Sequence, residues 1–287
     1  MAHSITEAFV RQYSATVRML TAQRMSKLRP FVDIDTDVQG ESKSYDAIGV
    51  GPDVPNKILV RHGDTPLNTQ EHSRRWIFFD TYDVADLIDK KDRLDILLDP
   101  NNSYTRNQAG AMGRQMDDVI ITAFDANVVT GATPTGSSAF PAGNVIGASG
   151  VGLTISKLLT AKEALDAAEV DEMERYVVCT ARQLTNLLND DRVTSADYNV
   201  IRALVQGDID TYAGFRFIRC QRLKVESGAR ACYAFTRSAI TFGLRQDVDT
   251  VVSERPDKRH ATQIYTWGSW GAVRREDAKV LKILCVE

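Results

Sequence analysis

The sequence is poor in residues that bind metal ions or form disulfides. Its 287 residues include four cysteines and four histidines, and no two cysteines stand in a Cys-x-x-Cys pair. Zinc sites take closely spaced cysteine or histidine ligands, and the cysteines here have apolar, strand-like neighbours. We therefore expect no metal, no cofactor and four buried free thiols: Cys179, Cys220, Cys232 and Cys285.

Long apolar runs and a large excess of one charge are also missing. No stretch of about 18 apolar residues occurs, and the N-terminus lacks the apolar core of a signal peptide, so we expect no membrane contact and a cytoplasmic origin. The formal net charge of -3 argues against a dedicated DNA-coating protein, because phosphate binding needs clustered lysine and arginine. The length suits one large domain or two modest ones.

Fragments of known motifs lack the residues that would complete them. Residues 33–37 resemble the start of a calcium loop, but Val38 and Ser44 stand where that loop requires glycine and glutamate. Asp117 and Asp118 are adjacent on a predicted helix, so their carboxylates diverge by about 100°. They predict a solvated helix face rather than a catalytic pair, and no catalytic residues are predicted elsewhere.

Residues 4–28 predict an amphipathic helix that Pro30 ends. Its polar faces carry more basic than acidic residues, which suits contact with DNA or an acidic partner, or simply a solvated face. The charged residues are Arg11, Arg18, Arg24, Lys27 and Arg29 against Glu7. Because this patch is weak, the residues by themselves favour the solvated face.

Residues 31–73 are rich in glycine and proline and have too few apolar residues to form a core. They predict an extended segment that packs on a neighbouring subunit. Residues 74–82 follow as an aromatic strand. After this strand the sequence predicts a short helix, with Asp83 as its cap and Val84, Leu87 and Ile88 turned inward.

Residues 105–128 predict a long helix of roughly 35 Å, with Thr105 and Gln108 as a capping box. A loop without periodicity follows at 131–152. Helices and strands are then interspersed without a βαβ rhythm, which indicates the α+β class. The predicted helices lie at 154–168, 181–188 and 197–205, and the strands at 175–180, 214–220, 231–235, 244–253, 261–267 and 279–286.

Trp267 and Trp270 could form a platform for a sugar or a base. Their spacing of three residues along a strand places them on opposite faces of it. Packing in the core or at a subunit interface is therefore the preferred interpretation.

The order of these elements resembles the Hong Kong 97 capsid fold of tailed bacteriophages. The amino-acid sequence of several segments is similar to that of a capsid family of short-tailed phages. The resemblance covers nearly the whole chain and is weakest at 131–152. It is carried by Arg74–Leu98, Asn107–Phe124 and Phe242–Val286, above all by Glu254–His260 and Gly268–Arg275. It implies a self-assembling major capsid protein that is not an enzyme.

The resemblance also implies a division of the chain. An N-terminal arm would occupy residues 1–30, and an E-loop lying over the adjacent subunit would occupy 31–80. A peripheral domain would combine 81–149 with 243–287 and contain a spine helix at 105–128. An axial domain, at the centre of pentamers and hexamers, would occupy 150–242.

Contact residues are implied for each of these parts. For the E-loop they are Lys43, Tyr45, Lys57, Arg61 and His62. For a turn near the three-fold axes they are Glu254, Arg255, Asp257, Lys258 and Arg259, and for the axial domain Asp190, Asp191 and Arg192. The residues that would contact DNA or a scaffolding protein are Arg11, Arg18, Arg24 and Lys27.

The implied partners are further copies of the chain, a scaffolding protein, a portal, a decoration or cement protein, and packaged double-stranded DNA bound without sequence specificity. Two departures qualify this. Some members cross-link a loop lysine, here Lys57, to a partner asparagine, and the Pro256–Asp257 turn offers none. Some carry a long N-terminal scaffolding region, whereas only a short arm precedes the E-loop here, so a separate scaffolding protein is expected.

Three alternatives remain at this point. The first is an encapsulin-like shell that stores cargo enzymes. The second is a soluble α+β enzyme, which would need converging polar groups in one pocket. The third is a nucleic-acid-binding module built on the N-terminal arm, which would bind DNA with a steep salt dependence.

Overall fold

A computed structural model describes residues 25–48, 57, 72–89, 100–188 and 211–287. Over these residues the chain forms three α-helices and fifteen strands, which confirms the α+β class. The helices are α1 (Pro100–Asp125), α2 (Ile155–Ala167) and α3 (Ala181–Leu188). The strands are β1 (Asp33–Asp35), β2 (Ser42–Ile48), β3 (His72–Phe78), β4 (Asp80–Ile88), β5 (Val128–Thr130), β6 (Gly136–Ser138), β7 (Val145–Ile146), β8 (Arg175–Cys179), β9 (Thr211–Tyr212), β10 (Phe215–Arg219), β11 (Val225–Glu226), β12 (Ala229–Thr236), β13 (Ile240–Arg255), β14 (Ala261–Arg274) and β15 (Val280–Val286).

The strands form three sheets. Sheet A has the order β1-β13-β14-β4, and sheet B has the order β2-β3-β5-β6. Sheet C has the order β7-β15-β12-β8-β10-β9, with β11 also paired to β12. The long antiparallel hairpin of β13 and β14 dominates sheet A, and its pairing runs from Ile240 opposite Arg274 to Arg255 opposite Ala261.

One core joins sheet C to α1. Every residue of β8 is buried, as is β12 from Ala231 onward. Near the end of α1, Phe124 stacks on Tyr233 with ring centroids 4.7 Å apart and lies 4.8 Å from the ring of Phe235. Burying an aromatic side chain of this size contributes about 1.5–3 kcal/mol, so these contacts hold α1 against sheet C.

Helix α1 confirms the predicted long helix, although its ends differ from 105–128. Proline suits the first position of a helix, because its missing N–H would have no partner there. Gln108 does not cap the helix as predicted. Its side chain is buried, donates to Asp86 Oδ2 over 2.9 Å and accepts from Thr266 Oγ1 over 2.7 Å, which ties α1 to sheet A.

The C-terminal end of α1 is capped by a buried arginine. Arg274 has no exposed surface and donates to the carbonyl oxygens of Phe124 (2.9 Å) and Ala126 (3.0 Å). It also donates to Asp277 over 2.6 Å. A cation stabilises the last carbonyls of a helix, so β14 supplies the cap that α1 lacks in its own sequence.

The predicted short helix after Asp83 is wrong, because this segment is strand β4. Its side chains alternate: Val84 and Asp86 are partly covered and Ile88 is buried, whereas Leu87 is 52% exposed. Spacings of three and four residues matched a helix, but pairing of β4 with β14 imposes a period of two. The predicted strand at 74–82 therefore spans the end of β3 and the start of β4.

Residues 25–28 are not helical, although the sequence predicted a helix through residue 28. The main-chain N–H groups of Lys27 and Leu28 donate to the carboxylate of Asp117 instead of to helical carbonyls. The predicted solvated position of Asp117 is also wrong, because this side chain is completely buried. Asp118 is partly exposed and forms an ion pair with Arg222.

The other predicted elements in the described residues are present, but β13 begins four residues earlier and β14 ends seven residues later than predicted. The helices at 154–168 and 181–188 are α2 and α3, and Thr154 caps α2 by accepting from the Lys157 N–H. The six predicted strands after residue 170 are β8, β10, β12, β13, β14 and β15. The loop at 131–152 contains the short strands β6 and β7. The predictions for residues 4–24 and 197–205 lie outside the described residues.

All four cysteines are buried free thiols, as predicted. Burial raises the pKa of the Cys179 thiol to about 12. A thiol with so high a pKa is almost entirely protonated near neutral pH and is a poor nucleophile. Cys179 therefore acts as a small apolar side chain in the core of sheet C.

Candidate assembly surfaces

The tip of the β13–β14 hairpin, residues 251–260, stands clear of the rest of the protein. Every residue in this range is exposed. Val251 and Val252 are neighbours in β13 and so face opposite sides of the sheet, yet they are 46% and 47% exposed. Because neither face of the tip is covered, the hairpin tip has no core of its own.

The charged residues predicted at the tip form a local network. Arg255 donates to both carboxylate oxygens of Asp257, over 2.9 and 3.0 Å, and to Gln263 Oε1 over 2.9 Å. His260 Nδ1 lies 3.1 Å from Glu254 Oε1. The hydrogen bonds from Arg255 lower the pKa of the Asp257 carboxyl. These exposed pairs shape the turn but contribute little to stability.

Arg259 and His260 close the tip with left-handed backbone angles, φ 51° and 59°. Two successive non-glycine residues in this region carry a conformational cost. This turn presents Lys258 and Arg259 to solvent at the far end of the hairpin. The structure thus brings the five predicted three-fold residues together on one exposed turn.

Sheet A has one covered face and one open face. Ile264 and Thr266 are completely buried, and Thr266 bonds to Gln108 of α1. We call the other side of sheet A the outward face. On it, Ala85 of β4 lies opposite Tyr265 of β14, which in turn lies opposite Val251 of β13. Leu87, two residues after Ala85 in β4, is also exposed on this face. The outward face is thus apolar at these positions.

Sequence reasoning missed this outward face. Leu87 was assigned to the inner side of a helix, and the period of β4 was not recognised. The usable signal was the alternation of Tyr82, Val84 and Asp86 with Thr81 and Asp83, which has the period of a half-buried strand. Trp270 and Trp267 lie on opposite faces of β14, as predicted, with Trp270 fully buried and stacked on Tyr82 at 5.3 Å.

Two of the residues predicted for the E-loop use their polar atoms within the chain. Lys43 donates to Asp35 Oδ2 over 2.6 Å, and the Tyr45 hydroxyl donates to the same oxygen over 2.6 Å. Burial, together with the nearby Asp35 carboxylate, raises the pKa of Tyr45. Arg275 lies over the ring of Tyr45 at 5.2 Å. This cluster fixes β2 against β1 and the end of β14.

The same cluster engages two of the aspartates at residues 33–37, the segment that resembles the start of a calcium loop. Asp35 is engaged by a lysine and a tyrosine, and Asp33 lies 3.9 Å from Arg275. Within the described ranges, no group of three or more His, Cys, Asp or Glu side chains could hold a metal ion. In the same residues, no helix is both long and apolar enough to cross a membrane.

The remaining predicted contact residues are only partly described. Lys57 is exposed, and Lys27 donates its ammonium to the carbonyl oxygen of Arg219 over 3.0 Å. The other residues of these predictions lie outside the described residues: Arg61 and His62 of the E-loop, Asp190, Asp191 and Arg192 of the axial domain, and Arg11, Arg18 and Arg24 of the arm.

Asp125, which sequence reasoning did not single out, is the centre of a charged cluster beneath sheet C. Its carboxylate accepts from Lys224 (2.9 Å), Lys282 (2.9 Å) and the Tyr233 hydroxyl (2.9 Å). Burial acts to raise the pKa of Asp125, but the hydrogen bonds from the two lysines and Tyr233 outweigh it and leave that pKa lowered. Lys282 also pairs with Glu226, so α1, β11, β12 and β15 meet at this cluster.

Comparison with protein families decides the identity of the chain. The family model described as phage capsid protein matches residues 5–287. The chain belongs to the phage capsid protein family. A phage capsid protein is a structural protein of the virion, not an enzyme, and it associates with copies of itself in a capsid shell. Among curated proteins, none is significantly similar in sequence.

Solved structures of phage capsids share the fold. The capsid of Ralstonia phage GP4 has a TM-score of 0.74 and 9% identity, covering 96% of this chain and 94% of that one. The cyanophage P-SCSP1u capsid has a TM-score of 0.73 and 14% identity, covering 99% and 95%. The cyanophage Pam1 capsid has a TM-score of 0.70 and 14% identity, covering 99% and 98%. In the part of the chain that the structure describes, the fold is therefore that of phage capsids.

Proposed function

We propose that this phage capsid protein is the shell subunit of an icosahedral head, in which it forms pentamers and hexamers around double-stranded DNA. The observation that carries the proposal is the pair of open surfaces on sheet A, the hairpin tip and the outward face. Neither surface contributes to the core of the subunit. Neighbouring copies that cover them would bury apolar area at many contacts, and modest contacts sum through multivalency.

The division of labour follows the Hong Kong 97 arrangement. The N-terminal arm takes residues 1–30, the E-loop 31–80 and the axial domain 150–242, while 81–149 and 243–287 make the peripheral domain. Helix α1 is its spine. At 1.5 Å per residue α1 is about 39 Å long, and it is bound to sheet A by Gln108 in its first half and by Arg274 at its C-terminal end. A long helix attached at two points would keep the peripheral domain of a thin shell subunit rigid.

The E-loop of a neighbouring copy is the occupant we assign to the outward face. β2 and β3 form an antiparallel pair from Ser42–Phe78 to Ile48–His72, so the intervening chain leaves and returns at one place. Going out and back at ~3.3 Å per residue, it can reach about 35 Å. That reach is comparable to the nine-residue pairing of β4 with β14 in sheet A, which is about 30 Å long. Lys57 lies in this segment and is exposed.

The hairpin tip is assigned to the contacts around three-fold axes. It carries cations and carboxylates within one turn, Lys258 and Arg259 beside Glu254 and Asp257, so copies related by rotation can meet with opposite charges facing. No asparagine stands in this turn to accept a cross-link from Lys57. Axial contacts are assigned to Asp190, Asp191 and Arg192.

A separate scaffolding protein, a portal and a decoration protein complete the proposed set of partners. The basic residues of the arm, including Lys27, would face either scaffold or DNA, whose phosphates are bound without sequence specificity. Assembly would take place in the cytoplasm of the host bacterium.

The test is to express the chain alone and with its scaffolding protein, and to examine both by negative-stain electron microscopy and analytical ultracentrifugation. We expect hexamers, pentamers, closed shells or aberrant tubes. A monomer at every protein concentration, with and without scaffold, would overturn the proposal.

A further inference from the structure

The carboxylate of Asp117 binds the main chain of a distant segment. It accepts from the Lys27 N–H over 3.0 and 3.1 Å, from the Leu28 N–H over 3.0 Å and from Ser26 Oγ over 2.6 Å. Asp117 is completely buried in the middle of α1. A buried carboxylate is costly unless hydrogen bonds compensate it, so the segment around Lys27 supplies what Asp117 needs.

A glycine makes this approach possible. Gly113 lies four residues before Asp117 and therefore on the same face of α1. A Cβ at Gly113 would lie 2.8 Å from the main-chain N of Ser26 and 3.0 Å from the carbonyl carbon of Met25. Both atoms belong to the backbone and cannot rotate away. Gly113 and Asp117 thus form a seat on α1 that fits main chain rather than a side chain.

The residues in the seat are also held from other directions. Leu28 is completely buried in the core, and the Lys27 ammonium donates to the Arg219 carbonyl at the end of β10. The Arg29 guanidinium donates to both oxygens of Asp247 in β13, over 3.1 and 2.9 Å. Residues 25–29 therefore form a strap fixed to α1, sheet C and sheet A at once.

We propose that the seat formed by Gly113 and Asp117 is a docking site for the strap and a positioning device for assembly. The strap directly follows residues 1–24 in the sequence, so its docking fixes the point at which the proposed N-terminal arm joins the subunit. Asp117 is a positioning residue, because it acts on other copies only through the arm. This assembly role rests on the proposed function, whereas the docking of the strap does not.

Two variants disturb the seat in different ways, one by changing the hydrogen-bond acceptor and one by adding a methyl group. Asp117→Asn keeps the shape of the side chain but replaces an acceptor oxygen by a donor. Gly113→Ala removes no bond and raises the helix propensity of α1, but its Cβ occupies the space of the Ser26 main chain. The matched controls are Asp118→Asn, one residue further along α1, and Gly143→Ala, where a Cβ would meet nothing within 4 Å.

The readouts are tryptic cleavage at the Lys27–Leu28 bond and amide hydrogen exchange of residues 25–29. We expect both to be at least about tenfold faster in the two seat variants, because Asp117→Asn weakens the acceptor of the strap N–H groups and Gly113→Ala displaces the strap from that acceptor. Exchange of α2 should be unchanged, which separates release of the strap from general unfolding. Wild-type rates in both seat variants, or equal acceleration in the controls, would overturn the docking site.

Assembly of the same variants is then measured by analytical ultracentrifugation beside the wild type. We expect shells or capsomers from the wild type and the controls, and at least about a tenfold lower yield from the seat variants. Seat variants that release the strap but assemble at wild-type yield would overturn the positioning role. Failure of the wild type itself to assemble would instead contradict the proposed function and leave the exchange result standing.

Discussion

Asp125 shows how a single residue links several elements through charge. Its carboxylate is buried at the end of α1, and it receives hydrogen bonds from two lysines and a tyrosine on the strands and loop around it. With its pKa lowered in the folded state, the ionised form stabilises the fold. That contribution is present above the unfolded pKa of about 3.9 and is lost as pH falls through the lower, folded value.

We therefore predict that Asp125→Asn lowers the free energy of unfolding near pH 7 by about 2–4 kcal/mol, because two lysines lose their buried partner. The difference from the wild type should shrink as pH falls below about 4, where the unfolded carboxyl begins to take up a proton, and disappear only below the lower pKa of the folded carboxyl. Urea unfolding of both proteins between pH 7 and pH 3 measures this. A difference that stays constant over that range would contradict the assignment.

At the scale of secondary-structure elements, Gly271 determines how closely two sheets approach each other, because it lies where sheet A and sheet B cross. A Cβ at this position of β14 would lie 2.1 Å from the carbonyl oxygen of Phe78 at the end of β3. The close approach lets β14 pass directly over β3, and this crossing places the β2–β3 pair beside the hairpin.

We predict that Gly271→Ala lowers the free energy of unfolding by about 1–3 kcal/mol, since the backbone must shift to admit one methyl group. Gly143→Ala is the control, with an expected change below about 0.5 kcal/mol. Chemical denaturation measures both. Equal stability of the two variants would show that β14 and β3 can separate at no cost.

Much of the element order could be predicted from the sequence, and β4 shows why the rest could not. α2, β8 and β15 carry their own periodicity and caps, so local pattern was enough. The segment from Asp83 to Ile88 matches a helix as well as a strand over six residues, and pairing with β14 selects the strand. The alternation of side chains in this segment is compatible with a strand, but only the distant partner β14 makes the strand the more stable choice.

At the scale of the whole molecule, we predict that changes on the outward face of sheet A impair assembly without unfolding the subunit. We expect Leu87→Lys to leave the subunit folded, because this side chain is 52% exposed. The same change should raise the concentration needed for assembly at least about tenfold, since a lysine would be buried without a partner beneath the neighbouring E-loop. Ultracentrifugation gives the assembly threshold, and circular dichroism gives the fold.

Leu159→Lys is the matched control, because Leu159 on α2 is also 52% exposed. We expect it to assemble like the wild type. If both lysine variants assemble normally, the outward face is not a contact between copies. If both fail equally, added surface charge rather than this face is responsible.

By itself, the sequence determined the α+β class, the buried thiols, the long helix and the resemblance to phage capsids. These features depend on composition, on periodicity within one segment and on the amino-acid sequence of several segments along the chain. Only the tertiary structure decided that Asp117 is buried against residues 26–28, that Leu87 faces outward and that Arg274 caps α1. Each of these depends on a partner far away in the sequence, and such a partner becomes visible only when the chain has folded.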